Sequence, residues 1–73
     1  METKNWTLTI TDDWTSGYRA TVEFTGDENQ MRAKAKQESL GYYATGTWDL
    51  DVVEIVARAV AEDGETIDLS FAF

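Results

Sequence analysis

The sequence predicts an α+β domain with the element order ββαββ, in which one helix packs on one face of a four-stranded antiparallel sheet. Two pairs of segments alternate apolar and polar residues, and a glycine-containing turn joins the members of each pair. Between the pairs lies a proline-free stretch that begins with Asp27 and Glu28, as helices often do. We therefore expect residues 1–73 to form a single small domain.

The first hairpin is predicted from two runs with a period of two residues. Its apolar side chains are Trp6, Leu8, Ile10, Tyr18, Ala20, Val22 and Phe24. A three-residue loop that ends in glycine would pair Leu8 with Phe24 and would place Asp13 opposite Arg19. Asp12 then lies on the apolar face near the turn, which indicates either a position beyond the helix or a longer loop.

A helix is predicted from Glu28 to Ser39, with Asp27 as its N-cap. Its apolar stripe is narrow and consists of Met31 and Ala35, with Tyr42 one turn beyond if the helix continues. Such a stripe of small residues favours a helix that lies close to a sheet whose own aromatic side chains fill the space.

The second hairpin runs from Val52 to Phe73. A two-residue loop would place Arg58 opposite Leu69 and would scatter charge over the apolar face. A three-residue loop with Gly64 in the left-handed conformation instead places Arg58 opposite Asp68. This register also aligns one apolar face, in the pairs Val53/Phe73, Ile55/Phe71, Ala57/Leu69 and Ala59/Ile67. The sequence therefore predicts the three-residue loop.

The strand order is predicted as 2-1-3-4, because placing the third strand beside the first keeps all neighbours antiparallel. Val52, Val56 and Val60 then lie on the face away from the helix. These valines predict either self-association, for example a homodimer formed through an open strand edge, or cover by the Tyr42–Trp48 connection.

Composition excludes several kinds of chemistry. The chain has no cysteine and no histidine, so it cannot form a disulfide, a His-centred triad, a Cys nucleophile or a typical zinc site. Carboxylate pairs such as Asp49 and Asp51 lack the ligand number of a calcium loop. We expect no enzyme activity, no cofactor and no metal. With no run of about 18 apolar residues and no signal sequence, a cytoplasmic protein without membrane contact is expected.

The chain is strongly acidic, with 14 acidic and 6 basic residues and a net charge of −8. Such a charge repels nucleic acid and attracts basic protein surfaces. An alternative interpretation is solubility or adaptation to salt, because lysine is scarce and threonine is frequent.

A partner-binding surface is predicted from acidic clusters and from the connection between Leu40 and Asp51. This connection is unusually apolar, so it would either pack over the open edge of the sheet or contact a partner. The acids at Asp49 and Asp51 project at about 6.6 Å, a spacing close to that of phosphates along a nucleic acid strand. Aromatic residues of the connection would act as anchors. The predicted partner-binding residues are Tyr42, Tyr43, Trp48, Asp49, Asp51, Glu54, Glu62, Asp63 and Glu65.

The chain is short, lacks cysteine, has the predicted element order ββαββ and carries acids at Asp49, Asp51, Glu62, Asp63 and Glu65. In these features it resembles the small phage proteins that inhibit bacterial defence systems, anti-CRISPR proteins among them. The resemblance implies an acidic inhibitor that occupies a nucleic-acid groove of a basic effector complex. Antitoxin-like domains, which dimerise, have a similar organisation. The resemblance assigns no individual functional residue.

Overall fold

The structure, a computed structural model, describes residues 2–12, 19–46 and 52–73. The elements are β1 (Lys4–Asp12), β2 (Arg19–Gly26), α1 (Glu28–Thr45), β3 (Glu54–Ala61) and β4 (Thr66–Ala72). The strands form one antiparallel sheet with the order β2-β1-β3-β4. The predicted α+β class and the predicted strand order are both confirmed.

The β3–β4 hairpin has the predicted register. Arg58 pairs with Asp68, and the apolar pairs of the inner face align as expected. Gly64 has a φ of +92°. Its amide donates to the carbonyl oxygen of Ala61 at 2.9 Å, and the Ala61 amide donates to the carbonyl oxygen of Glu65 at 2.8 Å. These bonds close the three-residue loop.

Replacing Gly64 with valine should lower the free energy of unfolding by about 1–2 kcal/mol or more, because a β-branched residue is strained at positive φ. A Cβ atom at this position would meet no other atom within 4 Å, so the cost comes from the backbone alone. Gly64→Asn is the matched control, since asparagine adopts the left-handed conformation more readily. Urea denaturation should show the larger loss for valine. Equal losses would contradict the backbone explanation.

The β1–β2 register differs from the prediction by two residues. Leu8 pairs with Val22 rather than with Phe24, and Arg19 pairs with Thr11 rather than with Asp13. Because side chains alternate with a period of two, this shift keeps the same residues on the inner face. The pairing observed favours the longer connection that the position of Asp12 had suggested. Residues 13–18 of that connection lie outside the described ranges.

The predicted start of α1, with Asp27 as its N-cap, is confirmed. The side chain of Gln30 adds a second capping bond that was not predicted from the sequence. The Asp27 side chain accepts a hydrogen bond from the Gln30 amide at 2.8 Å, and the Gln30 side chain accepts one from the Asp27 amide at 2.9 Å. This reciprocal capping box satisfies two amides that have no partner within the helix.

The end of α1 is not where the sequence indicated. The helix continues past Ser39 to Thr45, and the amide of Gly46 donates to the carbonyl oxygen of Tyr43 at 3.2 Å. The predicted connection from residue 40 is therefore helical in its first half. Gly41 costs about 1 kcal/mol in a helix. The packing of Tyr42 and Tyr43 against the core offsets this cost.

The core lies between α1 and the central strands. It consists of Trp6, Leu8, Ile10, Met31, Ala35, Val53, Ile55, Ala57, Ala59 and Ala61. Met31 and Ala35 confirm the predicted stripe, and Ser39 continues it as a fully buried residue. Three buried alanines on β3 leave room for the helix to lie close to the sheet.

The opposite face of the sheet is not covered by α1. Val52 and Val60 are 63% and 38% exposed, and Val56 on the same face is half-buried. The alternation along β3 confirms the predicted position of Val56 and Val60 away from the helix, whereas Val52 lies just before the strand. Within the described ranges, no helix has the length and apolar character needed to cross a membrane.

Candidate functional site

The structure divides the predicted partner-binding residues between the two ends of the sheet. Tyr42, Tyr43 and Glu54 lie where α1 ends and β3 begins. The acids of the β3–β4 turn lie beyond the other end of β3, whose eight residues span about 26 Å. The two groups therefore do not form one surface. Trp48, Asp49 and Asp51 lie outside the described residues.

The tyrosine end is integrated into the fold. Tyr43 stacks on Phe73, with ring centroids 5.3 Å apart and an interplanar angle of 23°. Tyr42 and Tyr43 are half-buried and pack against the core. Both rings thus have a structural role, and their role as partner anchors stays a prediction.

The other end gathers carboxylates from three separate segments of the chain. We call it the acidic end and define it as Glu2, Asp27, Glu28, Glu62, Asp63 and Glu65. The antiparallel order places the start of β1, the start of α1 and the β3–β4 turn at this same end. Glu2, Glu28 and Glu65 line one shallow depression together with Lys4 and Trp6.

Lys4 lies beneath the carboxylates of the turn. Its Nζ is 2.8 Å from Asp63 Oδ2 and 3.3 Å from Glu65 Oε1, and it lies 5.8 Å from the centroid of the Trp6 ring. The Lys4 side chain is only 17% exposed, whereas the side chains of Asp63 and Glu65 are 50% and 46% exposed. An approaching molecule therefore meets carboxylate before it meets ammonium.

The ion pair is maintained across the neutral pH range. The hydrogen bond from Lys4 lowers the pKa of Asp63, and the same bond raises the pKa of Lys4. The Asp63 contribution to stability is present above the carboxyl's ordinary pKa and is lost as the pH falls through the lowered value. The Lys4 contribution is present below the ordinary pKa of lysine and is lost as the pH rises through the raised value.

Glu62 is fixed to β1 by a second set of contacts. The Asn5 amide donates to Glu62 Oε1 at 3.2 Å, and Asn5 Nδ2 donates to Glu62 Oε2 at 3.3 Å. Thr25 Oγ1 donates to Asn5 Oδ1 at 2.7 Å, which extends the network to β2. The amide of Glu65 donates to Asp63 Oδ1 at 3.0 Å. The three acids of the turn are thus held in place by contacts within the chain.

Sequence reasoning missed Lys4 and Asn5 as members of this site. They precede the turn acids by more than fifty residues, and no local pattern links them. The predicted strand order did contain the signal, because a first strand antiparallel to the third brings the start of β1 beside the end of β3.

Chemically, the acidic end is suited to accept hydrogen bonds and positive charge. The turn carboxylates accept hydrogen bonds from Lys4 and Asn5 with some of their oxygen lone pairs. Their other lone pairs face solvent and can accept further hydrogen bonds. In residues 2–12, 19–46 and 52–73, no three or more acidic side chains are arranged so that they could hold a metal ion. The arrangement is appropriate for contact with lysine and arginine side chains of another protein.

Comparisons with protein-family models, with curated proteins and with solved structures find no match for this chain.

Proposed function

We propose that this chain is a non-catalytic, acidic protein-binding domain that inhibits a basic nucleic-acid-handling complex by covering its nucleic-acid surface. The acidic end is the surface that makes the contact. Several of the small phage inhibitors that the sequence resembles act on partners of this kind. The observation that carries the proposal is the position of Lys4, which is nearly covered while Asp63 and Glu65 remain about half exposed.

The fixed geometry of the turn acids supports binding over simple solubility. A carboxylate that serves only to keep a protein in solution needs no fixed position, because water solvates it in any rotamer. Glu62, Asp63 and Glu65 are each held by hydrogen bonds to other parts of the chain. Side chains that are already ordered lose less conformational entropy on binding, so this arrangement favours recognition.

The mimicry proposed here is electrostatic. A nucleic-acid groove in a protein presents lysine and arginine side chains at the spacing of successive phosphates. Adjacent carboxylates on a rigid turn can satisfy such side chains with charge-assisted hydrogen bonds. Long-range attraction between the −8 domain and a basic groove would also accelerate the encounter.

An assembly module is the second candidate function. The exposure of Val60 on the face of β3 away from α1, with the half-buried Val56 further along the same face and the exposed Val52 just before the strand, favours it, because exposed apolar side chains on one face of a sheet often mark a contact. A module of this kind would resemble antitoxin-like homodimers in organisation and would act by bringing chains together.

The proposal is tested by capturing partners from host cell extract with the tagged chain, in the presence and absence of competing duplex DNA or RNA. We expect one basic partner that is released by raised salt and displaced by nucleic acid, since both compete for the same cationic groups. The matched control bait is Asp63→Asn with Glu65→Gln, which should retain much less of this partner. A partner that nucleic acid does not displace would contradict the mimicry.

A further inference from the structure

The outer edge of β4 presents backbone groups that make no bond within the sheet. Val53 and Phe73 exchange two hydrogen bonds of 2.9 Å, so the odd-numbered residues of β4 direct their amides and carbonyls toward β3. In an antiparallel pair these directions alternate. The amides and carbonyls of the even-numbered residues therefore point away from β3: Thr66, Asp68, Ser70 and Ala72. In the described part of the chain, no strand lies beyond β4.

This edge lacks the features by which proteins usually prevent strand addition. β4 contains no proline and no lysine, and its pairing with β3 runs without a bulge from Thr66 to Ala72. Asp68 is its only charged residue, and Arg58 holds that carboxylate at 2.8 Å. The edge strand β2, by contrast, contains Glu23, which is exposed.

We propose that β4 pairs antiparallel with β4 of a second copy of this chain, with Leu69 opposite Leu69, to form a continuous eight-stranded sheet. This register pairs Thr66 with Ala72 and Asp68 with Ser70, in both directions across the two-fold axis. All four are residues whose backbone groups point outward, so their amides and carbonyls can bond across the new junction.

Neighbouring registers fit less well. A shift that keeps the outward groups paired moves the axis to Asp68 or to Ser70. The first places Asp68 opposite Asp68, and like charges directly opposite each other are destabilising. The second leaves Thr66 beyond the end of the partner strand, which removes bonding pairs. The axis at Leu69 avoids both costs, so the edge is complementary to itself.

Side-chain burial supports a second copy as the occupant. Ile67, Leu69 and Phe71 face the helix side of the sheet but remain only partly buried at the edge. In the proposed register Ile67 packs beside Phe71 of the second copy, and the two Leu69 side chains meet. The edge thus combines backbone groups that are unpaired within the described sheet, apolar side chains that a second copy would cover, and a single carboxylate, which forms an ion pair with Arg58.

This pairing goes beyond the proposed function and uses another surface. Each copy carries a net charge of −8, so two copies repel each other at long range. Salt screens that repulsion and should strengthen the dimer, whereas it should weaken the binding of a basic partner to the acidic end. The opposite salt dependences make failure of one proposal distinguishable from failure of the other.

A cysteine cross-link tests the register directly, because the native chain has no cysteine. Leu69 would form a non-hydrogen-bonded pair with a Cα separation of about 4.5 Å, which is within the range that a disulfide spans. We expect Leu69→Cys to form a covalent dimer under mild oxidation at high salt. Ile67→Cys is the matched control, since its thiol would lie opposite Phe71. Equal cross-linking of the two variants, or none in either, would overturn the proposed pairing.

A proline scan of the two edges gives an independent test. Ser70→Pro removes an outward amide that no backbone bond of the described sheet uses, so circular dichroism should show a retained fold. Thr21→Pro makes the same change on the outer edge of β2. Sedimentation at high salt should show a dimer for the native chain and for Thr21→Pro, and a monomer for Ser70→Pro. A monomeric native chain or a dimeric Ser70→Pro would refute the β4 junction.

Discussion

Replacing Trp6 with alanine should lower the free energy of unfolding by about 3–5 kcal/mol, the usual cost of removing a large aromatic side chain from a core. Trp6 is 2% exposed, and its Nε1 donates to the carbonyl oxygen of Gly26 at 3.0 Å. A chain of 73 residues has a total stability of only about 4–11 kcal/mol. Much of the variant should therefore be unfolded at low urea concentration, as measured by far-UV circular dichroism.

Trp6→Phe separates packing from hydrogen bonding. Phenylalanine keeps most of the apolar contact but leaves the Gly26 carbonyl without the indole donor, which should cost about 1–3 kcal/mol. We expect the alanine variant to be clearly the less stable of the two. Equal losses would show that the hydrogen bond, and not the packing of Trp6, dominates its contribution.

Replacing Ala57 with leucine should also destabilise the fold, by about 1–3 kcal/mol, although leucine is the more apolar residue. Ala57 is fully buried on the face that α1 covers, so added methylenes must push the helix away from the sheet. Val56→Leu is the matched control, because Val56 is the adjacent residue on the uncovered face. Urea denaturation should show little change for Val56→Leu. A similar loss in both variants would contradict the close helix–sheet contact.

The two hairpins show what the sequence can determine about register. In the second hairpin, Gly64 limits the loop types, and the charges of Arg58 and Asp68 exclude the competing register. In the first hairpin, registers that differ by two residues place the same side chains on the same face, so the alternation cannot choose between them. The predicted loop was too short, and the ladder ends with the pair Thr11 and Arg19.

Two features could not be predicted from the local sequence because they depend on tertiary contacts. They are the residue at which α1 ends and the side chains that bind the turn acids. Gly41 favoured an earlier end, but the aromatic residues after it pack against the sheet and keep the last turns helical. The acids of the β3–β4 turn were identified from their local sequence. Lys4 and Asn5 bind them only because the strand order brings the start of β1 to the turn.

We expect the acidic end, and not net charge alone, to determine how fast the partner binds. The most direct test is the association rate of the captured partner with two charge-matched variants. Asp63→Asn with Glu65→Gln removes two charges from the acidic end, whereas Glu23→Gln with Glu38→Gln removes two charges elsewhere, on β2 and α1. Both variants should be shown to be folded by circular dichroism.

We expect the acidic-end variant to associate more slowly than the native chain and to show a weaker dependence of that rate on salt. The variant at Glu23 and Glu38 should remain close to the native rate, because its charges lie away from the acidic end. The measurement is stopped-flow association over a series of salt concentrations. Equal slowing of both variants would show that net charge alone drives binding, and this result would contradict the assignment of the acidic end.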